Sequence, residues 1–289
     1  MNIILLGATG QIGTLLYKGL QGGHKVIGTS RKEHPGMMRF DPFRDDWSIL
    51  GKSEILINCI GQIEATKTSS FEHIHVDLTK LIIQNRGVVG ASKIIQISAL
   101  GASENHHISF LRTKGIADNL LLNHPGTVII RPSIICTPRT MIIKKMLMLS
   151  QIGSATLGVV PIPSGFLKTK IQPVMPKDVV TLVDRICLDA TQQIINAVGP
   201  ESISFGELID IMSKTRNQSL KLIEVPRVLF DFLVKAIVDP IFPAIINWQQ
   251  YRLLFEDNIA DEKLTENILG RPMISSKEFF KNEFANAAH

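Results

Sequence analysis

A strand that runs into three evenly spaced glycines and then straight into a helix leaves a chain few ways to fold. Residues 1–13 read MNIILLGATGQIG. Ile3 to Leu6 form a short apolar run with the character of a buried strand, and Ile12, Leu15, Leu16 and Leu20 mark one face of a helix. Between them, Gly7 permits a tight turn, Gly10 permits close approach of backbone to a pyrophosphate, and Gly13 lets the helix pack against the strand. Free N–H groups and the helix dipole then favour an anion at the helix start, which adds Thr9, Gln11 and Ile12 to the candidate contacts. The motif predicts a dinucleotide site on an α/β fold, a doubly wound parallel sheet of the Rossmann type with a small C-terminal lobe.

The 289 residues suit one large α/β domain, or a nucleotide-binding core with a smaller lobe. Apolar residues make up 45% of the chain, enough for a substantial core. The excess of 31 basic over 26 acidic side chains is mild and spread along the sequence, so no nucleic-acid partner is expected. Cys59, Cys136 and Cys187 are odd in number and widely spaced. They read as free thiols in a reducing compartment, with no metal site. No signal peptide or spanning helix is expected; the predicted location is cytoplasmic, with peripheral membrane contact left open.

The strand His24–Thr29 leads into Ser30, Arg31 and Lys32, and the acid that would hold the ribose 2′-OH of NAD is missing, since Glu33 comes late. Hydroxyls and cations there suit a 2′-phosphate, so NADP(H) is favoured, with NAD(H) as the alternative. Further strands are expected at Glu54–Asn58, Lys93–Ser98 and Thr127–Arg131, and a long core-facing helix over Phe71–Gly87. Asn58, Cys59 and Gly61 fall at the carboxyl end of a parallel strand, where ligands bind in open α/β sheets. Beyond residue 138 the pattern changes. Residues 1–138 read as the nucleotide-binding core, and 139–289 as a mixed region that returns to the sheet near 170–200 and ends in a helical lobe. Ser204, with Glu207 three residues on, fits a helix N-cap, and Asp178 fits the first turn of another helix.

The glycine spacing with Ala8-Thr9, Asn58-x-x-Gly61, Ser98, Lys114, Arg131-Pro132, Gln172-Pro173-Val174 and Gly199-Pro200-Glu201 together resemble the atypical and extended short-chain dehydrogenase/reductases. Within them the chain is most similar to the NmrA-like group and to the nucleotide-holding accessory subunit family of respiratory complex I. The resemblance implies that Asp41 touches the adenine edge, that the Asn58–Gly61 loop lies against ribose and pyrophosphate, and that Pro132, Ser133 and Ile134 contact the cofactor beneath the nicotinamide. It gives Ser98 the place of the family's catalytic Ser or Thr. It also gives Lys114 the ribose-binding role of the Tyr-x-x-x-Lys hallmark, with Phe110 in the tyrosine's place. The chain's two tyrosines, Tyr17 and Tyr251, are followed four residues later by Gln21 and Phe255. A phenylalanine cannot exchange a proton, so ordinary tyrosine-dependent chemistry is not expected. His106 and His107 are candidate substitutes but read more simply as solvated loop residues.

Two functions follow as expectations. The first is a dinucleotide-holding protein with little or no turnover, acting as a redox sensor, scaffold or assembly factor. The alternative is an NADPH-dependent oxidoreductase on a hydrophobic quinone, lipid or isoprenoid. Residues 225–254 are apolar but broken by Asp231, Lys235, Asp239, Pro240 and Pro243. They are expected to cover their own core, or to meet a hydrophobic small molecule, a protein partner or a membrane surface.

Overall fold

In the computed structural model, residues 1–62, 70–138, 140–188, 193–241 and 246–286 are described. Pro243 and the proposed boundary residue 139 lie outside them. By contact, the chain divides into two units. The first comprises residues 1–132, 177–197 and 263–271; the second comprises 133–176, 198–262 and 272–289.

In the first unit the apolar runs become strands β1 Asn2–Leu6, β2 Lys25–Ser30, β3 Met38–Arg39, β4 Ile55–Asn58, β5 Lys93–Ile97, β6 Thr127–Pro132 and β7 Ile194–Ala197. They form one sheet in the order β3-β2-β1-β4-β5-β6-β7, and every pairing is parallel. Parallel strands need crossovers, and helices supply most of them: α1 Gln11–Leu20, α2 Leu78–Val89, α3 Ser109–Leu122 and α4 Pro176–Leu188, with α5 Lys263–Leu269 beside β7. Covered on both faces, the strands read as continuous apolar runs rather than alternating ones. On one face Ile4, Leu6, Leu56, Ile94 and Ile129 pack with Leu78 and Ile82 of α2 and Leu121 of α3. Each such side chain contributes about 2 kcal/mol on burial. An ion pair between the buried Asp178 and the half-buried Arg271 at 2.7 Å ties the first turn of α4 to the segment after α5. The helix before β5 begins with a π-helical turn, Glu72–Asp77, which runs directly into α2.

The second unit packs helices Met141–Ala155, Phe205–Thr215 and Lys277–Asn286 around a core that includes Met146, Ile162, Phe166, Leu208, Phe280 and Phe284. Strand Val159–Pro163 pairs in parallel with Lys221–Val225, and Lys170–Ile171 pairs antiparallel with Ile203–Ser204. The expected cap is a full capping box: the Ser204 Oγ accepts from Glu207 N at 3.1 Å, and the Glu207 carboxylate accepts from Ser204 N at 2.7 Å. Gln172 is buried and bridges two segments, donating to Gly199 O at 2.8 Å and accepting from Ala260 N at 2.9 Å. In helix Arg227–Leu233 no residue is buried; Val228, Leu229 and Phe232 are 75%, 61% and 70% exposed.

Candidate dinucleotide site

The site stands on the carboxyl ends of β2, β1, β4 and β5, which are neighbours in the sheet. After β1, Gly7 turns at φ +76°, a conformation that favours glycine. A Cβ on Gly13 would lie 2.1 Å from Gly7 O, so only glycine lets α1 sit this close beneath the turn. Thr9, Gly10 and Gln11 are exposed, Ile12 is half-buried, and α1 carries no acid in its first turn. What remains is an accessible helix N-terminus whose backbone amides suit a pyrophosphate.

At the end of β2, Thr29 and Ser30 are buried, and Ser30 Oγ accepts from Lys32 N at 3.2 Å. Arg31 and Lys32 are exposed and form no ion pair among the described residues. The parallel register sets Arg39 of β3 opposite Ser30. Arg39 is exposed and adds a cation at this strand end. Sequence reading missed it, because only strand pairing brings it there. Asp41 closes the turn after β3: its Oδ1 accepts from Phe43 N at 3.1 Å, and its Oδ2 lies 3.9 Å from Arg44 Nε.

At the end of β4, Asn58 is buried and its amide is used at both ends. Nδ2 donates to Gln96 Oε1 at 2.8 Å, and Oδ1 accepts from Ile60 N at 3.0 Å. Asn58 therefore shapes the loop through Cys59 and Gly61. That loop lies against the glycine turn, since a Cβ on Gly7 would come within 2.9 Å of the Ile60 side chain. Burial pushes the Cys59 thiol up to about 12, with Lys114 opposing, so it stays protonated.

On α3 the Lys114 side chain is buried, and Nζ donates to Ile97 O at 2.9 Å at the end of β5. Burial lowers its pKa; Asp118 and Cys59 work against that. Nζ would stand 3.2 Å from a Cβ placed on Gly61, so the glycine leaves room at the ammonium. Phe110, four residues before Lys114, is half-buried, with its ring 6.0 Å from Phe71 and 5.8 Å from His75. Ser98 follows β5, and its hydroxyl donates to the buried Asp118 Oδ2 at 2.8 Å. Arg131 Nε donates to the same oxygen at 2.9 Å. Burial pushes the Asp118 carboxyl up, and Arg131 and Ser98 pull it back.

Pro132 closes β6, and its carbonyl accepts from Leu100 N at 3.0 Å. Ser133 and Ile134 open the second unit, where Ser133 Oγ donates to Asn258 Oδ1 at 2.6 Å and Ile134 O accepts from Val174 N. His106 and His107 stack on each other before α3, and His106 Nδ1 accepts from Ile108 N at 3.0 Å.

One residue of the site is absent from the motifs. His75, on the π-helical turn, is buried with a side-chain nitrogen left over: Nδ1 bonds Thr113 Oγ1 at 2.8 Å, and Nε2 has no partner among the described residues. Nε2 would lie 4.0 Å from a Cβ on Gly61, the same point that Lys114 Nζ approaches. Apolar spacing alone places His75 in the helix core, and nothing in the local sequence marks it. The residues together fit a dinucleotide: an open glycine cradle for pyrophosphate, cations at the β2 end, and a donor and an orphaned acceptor flanking Gly61.

No family model matches the chain. It is 29% identical over 250 residues to NADH dehydrogenase (ubiquinone) 1 alpha subcomplex subunit 9, mitochondrial, of Arabidopsis thaliana, an alignment covering 78% of this chain and 58% of the relative. It is 21% identical over 277 residues to the NADH-ubiquinone oxidoreductase 40 kDa subunit, mitochondrial, of Neurospora crassa, covering 89% and 71%. The chain is similar in sequence to these subunits. It spans just over half the length of the plant relative. Among solved structures, a nucleoside-diphosphate-sugar epimerase from Staphylococcus aureus matches with a TM-score of 0.74 at 15% identity, over 97% of this chain and 100% of that one. The UDP-glucuronic acid 4-epimerase of Bacillus cereus in complex with UDP-glucuronic acid and NAD matches with a TM-score of 0.71 at 15% identity, over 98% of each. The fold is thus a Rossmann fold, shared with these epimerase structures, and a Rossmann fold is what the glycine motif and the motif resemblance both implied.

Proposed function

We propose that this chain binds a nicotinamide dinucleotide, with NADP(H) preferred over NAD(H), and holds it without tyrosine-dependent turnover in a redox-sensing, scaffold or assembly role. The observation that carries this reading is the pairing of an intact Lys114, buried at the sheet edge, with Phe110 in the hallmark tyrosine position. A lysine in that place binds; a phenylalanine beside it moves no proton. Arg31, Lys32 and Arg39 supply the cations for a 2′-phosphate. The relatives' names are those of subunits of larger assemblies, and the exposed face of Val228, Leu229 and Phe232 offers a protein partner an apolar contact. No helix among the described residues is long and apolar enough to cross a membrane.

The test is titration of the purified protein with NADPH and NADH by nicotinamide fluorescence, followed by incubation of bound NADPH with quinones and enones. The expected result is tighter NADPH than NADH binding, with no oxidation. Oxidation by any acceptor would favour the reductase on a hydrophobic substrate and direct attention to Ser98 as a proton source. Binding of neither nucleotide would overturn the reading.

A further inference from the structure

The orphaned nitrogen of His75 has a definite protonation pattern. Thr113 has one hydroxyl proton, and its Oγ1 lies 3.0 Å from Ser109 O and 3.3 Å from Phe110 O, both acceptors only. Its proton is spent on these carbonyls, so in the bond to His75 the hydroxyl accepts and Nδ1 carries the hydrogen. Nε2 then presents a lone pair. The ring is held in place on three sides, by Thr113, by Phe71 stacked at 5.7 Å and by Phe110 edge-on at 5.8 Å. Burial, with the charge of Lys114 adding to it, holds the imidazole pKa at about 2, so the ring is neutral at any physiological pH. The result is a fixed acceptor, 3% exposed at the residue, facing the space beside Gly61. Lys114 Nζ, a pure donor, approaches the same space. Leaving a buried acceptor unpaired costs on the order of a lost hydrogen bond, so a ligand that satisfies it gains that much.

A donor and an acceptor flanking one glycine complement a group that both accepts and donates, and a vicinal diol does this with two adjacent hydroxyls. We propose that His75 is a ligand-binding residue whose Nε2 accepts a hydrogen bond from a ribose hydroxyl of the nicotinamide half, while Lys114 donates to the same diol. This rests on the dinucleotide reading. It gives the position beside Phe110 a polar partner that binds the sugar and that, being neutral, supplies no proton to a substrate. Sugar binding and proton transfer are thereby separated.

The experiment compares NADPH with 2′,5′-ADP, which carries the 2′-phosphate but no second ribose, by calorimetry on the full chain and on His75→Leu and His75→Gln. The expected result is NADPH weakened about tenfold in His75→Leu and largely restored in His75→Gln, whose side-chain oxygen can accept, with 2′,5′-ADP unchanged in both. In histidine-labelled protein the Nε2 resonance is expected to move upfield with NADPH and to stay fixed with 2′,5′-ADP. Equal loss of both ligands in the two variants, a merely structural effect, would overturn the assignment, as would unchanged NADPH affinity with an unmoved Nε2 signal. If the parent protein binds neither ligand, the dinucleotide reading itself fails, which is a different outcome from a His75 variant that binds NADPH as well as the parent.

Discussion

The two ends of the candidate site are made of different material. The glycine turn after β1 is backbone: Thr9, Gly10 and Gln11 are exposed, and its shape is set by what is missing at Gly7 and Gly13. The end at β4 and β5 is side chain: Lys114, Asp118, Ser98, Asn58 and His75 are all buried and hydrogen-bonded, Ser98 to Asp118, Asn58 to Gln96, His75 to Thr113 and Lys114 to the Ile97 carbonyl. The first end can hold an anion of almost any substituent, because amides at a helix start recognise charge. The second discriminates, because each buried polar group has a fixed direction and a cost if left unpaired. A protein that has lost proton transfer would be expected to change at the second end and keep the first, and Phe110 beside an intact glycine motif follows that pattern.

The largest effect expected from breaking the comparison is at the backbone end. In Gly13→Ala the new methyl would stand 2.1 Å from Gly7 O and 2.9 Å from Gly7 C, both main chain, which cannot swing aside. Denaturant unfolding should show a loss of about 3 kcal/mol, together with loss of binding for every nucleotide tested. A variant as stable as the parent would mean that the turn and α1 separate easily, against the packing described here.

The next effect is smaller and selective. Arg31→Ala removes an exposed cation that no carboxylate occupies among the described residues, so folding should be unaffected. NADPH affinity should fall by about 2 kcal/mol, while NADH affinity stays where it was. Equal losses for the two cofactors would remove the 2′-phosphate preference. Combining the change with Arg39→Ala sharpens the point, since Arg39 lies across the strand pair from Ser30.

What was legible in the sequence follows the same division. Local features could be read directly. The glycine turn, the parallel strands as short apolar runs, the helix Gln11–Leu20 and the Ser204–Glu207 capping box all depend on residues within a few positions of each other. Features made by distant residues could not be read. Arg39 meets Ser30 only through strand register, Asp178 meets Arg271 across 93 positions, and His75 meets Thr113 across 38. His75 was hidden for a further reason: it sits at a helix-core position whose apolar neighbours Ile74 and Val76 give the spacing of packing. The helix there is π-wound over Glu72–Asp77, so a helical period of 3.6 assigns its faces poorly. Asn58 was placed correctly at the strand end, but its side chain turns out to serve the loop through Gln96 and Ile60.

The smallest expected effect tests the electrostatics of the side-chain end in the free protein. An ordinary histidine titrates near 6.5; burial first, and the Lys114 charge second, hold His75 at about 2. Between those values the unfolded chain binds a proton at this residue that the folded chain refuses. Stability contributed by the neutral ring is therefore complete above pH 6.5 and is lost progressively as the pH falls from there toward 2. The loss should approach about 1.4 kcal/mol per pH unit at the steepest, the linkage value for one proton. His75→Leu removes the group, so the stability of the parent relative to the variant should decline as the pH is lowered from 7 to 5, read from urea midpoints at each pH. Lys114→Met should leave the decline between pH 7 and 5 in place and end it at a higher pH than in the parent, because burial is the larger cause and the Lys114 charge the smaller. A parent-minus-variant difference that is flat across this range would mean that His75 accepts a proton in the folded state. Its Nε2 would then be open to water rather than set aside for a ligand.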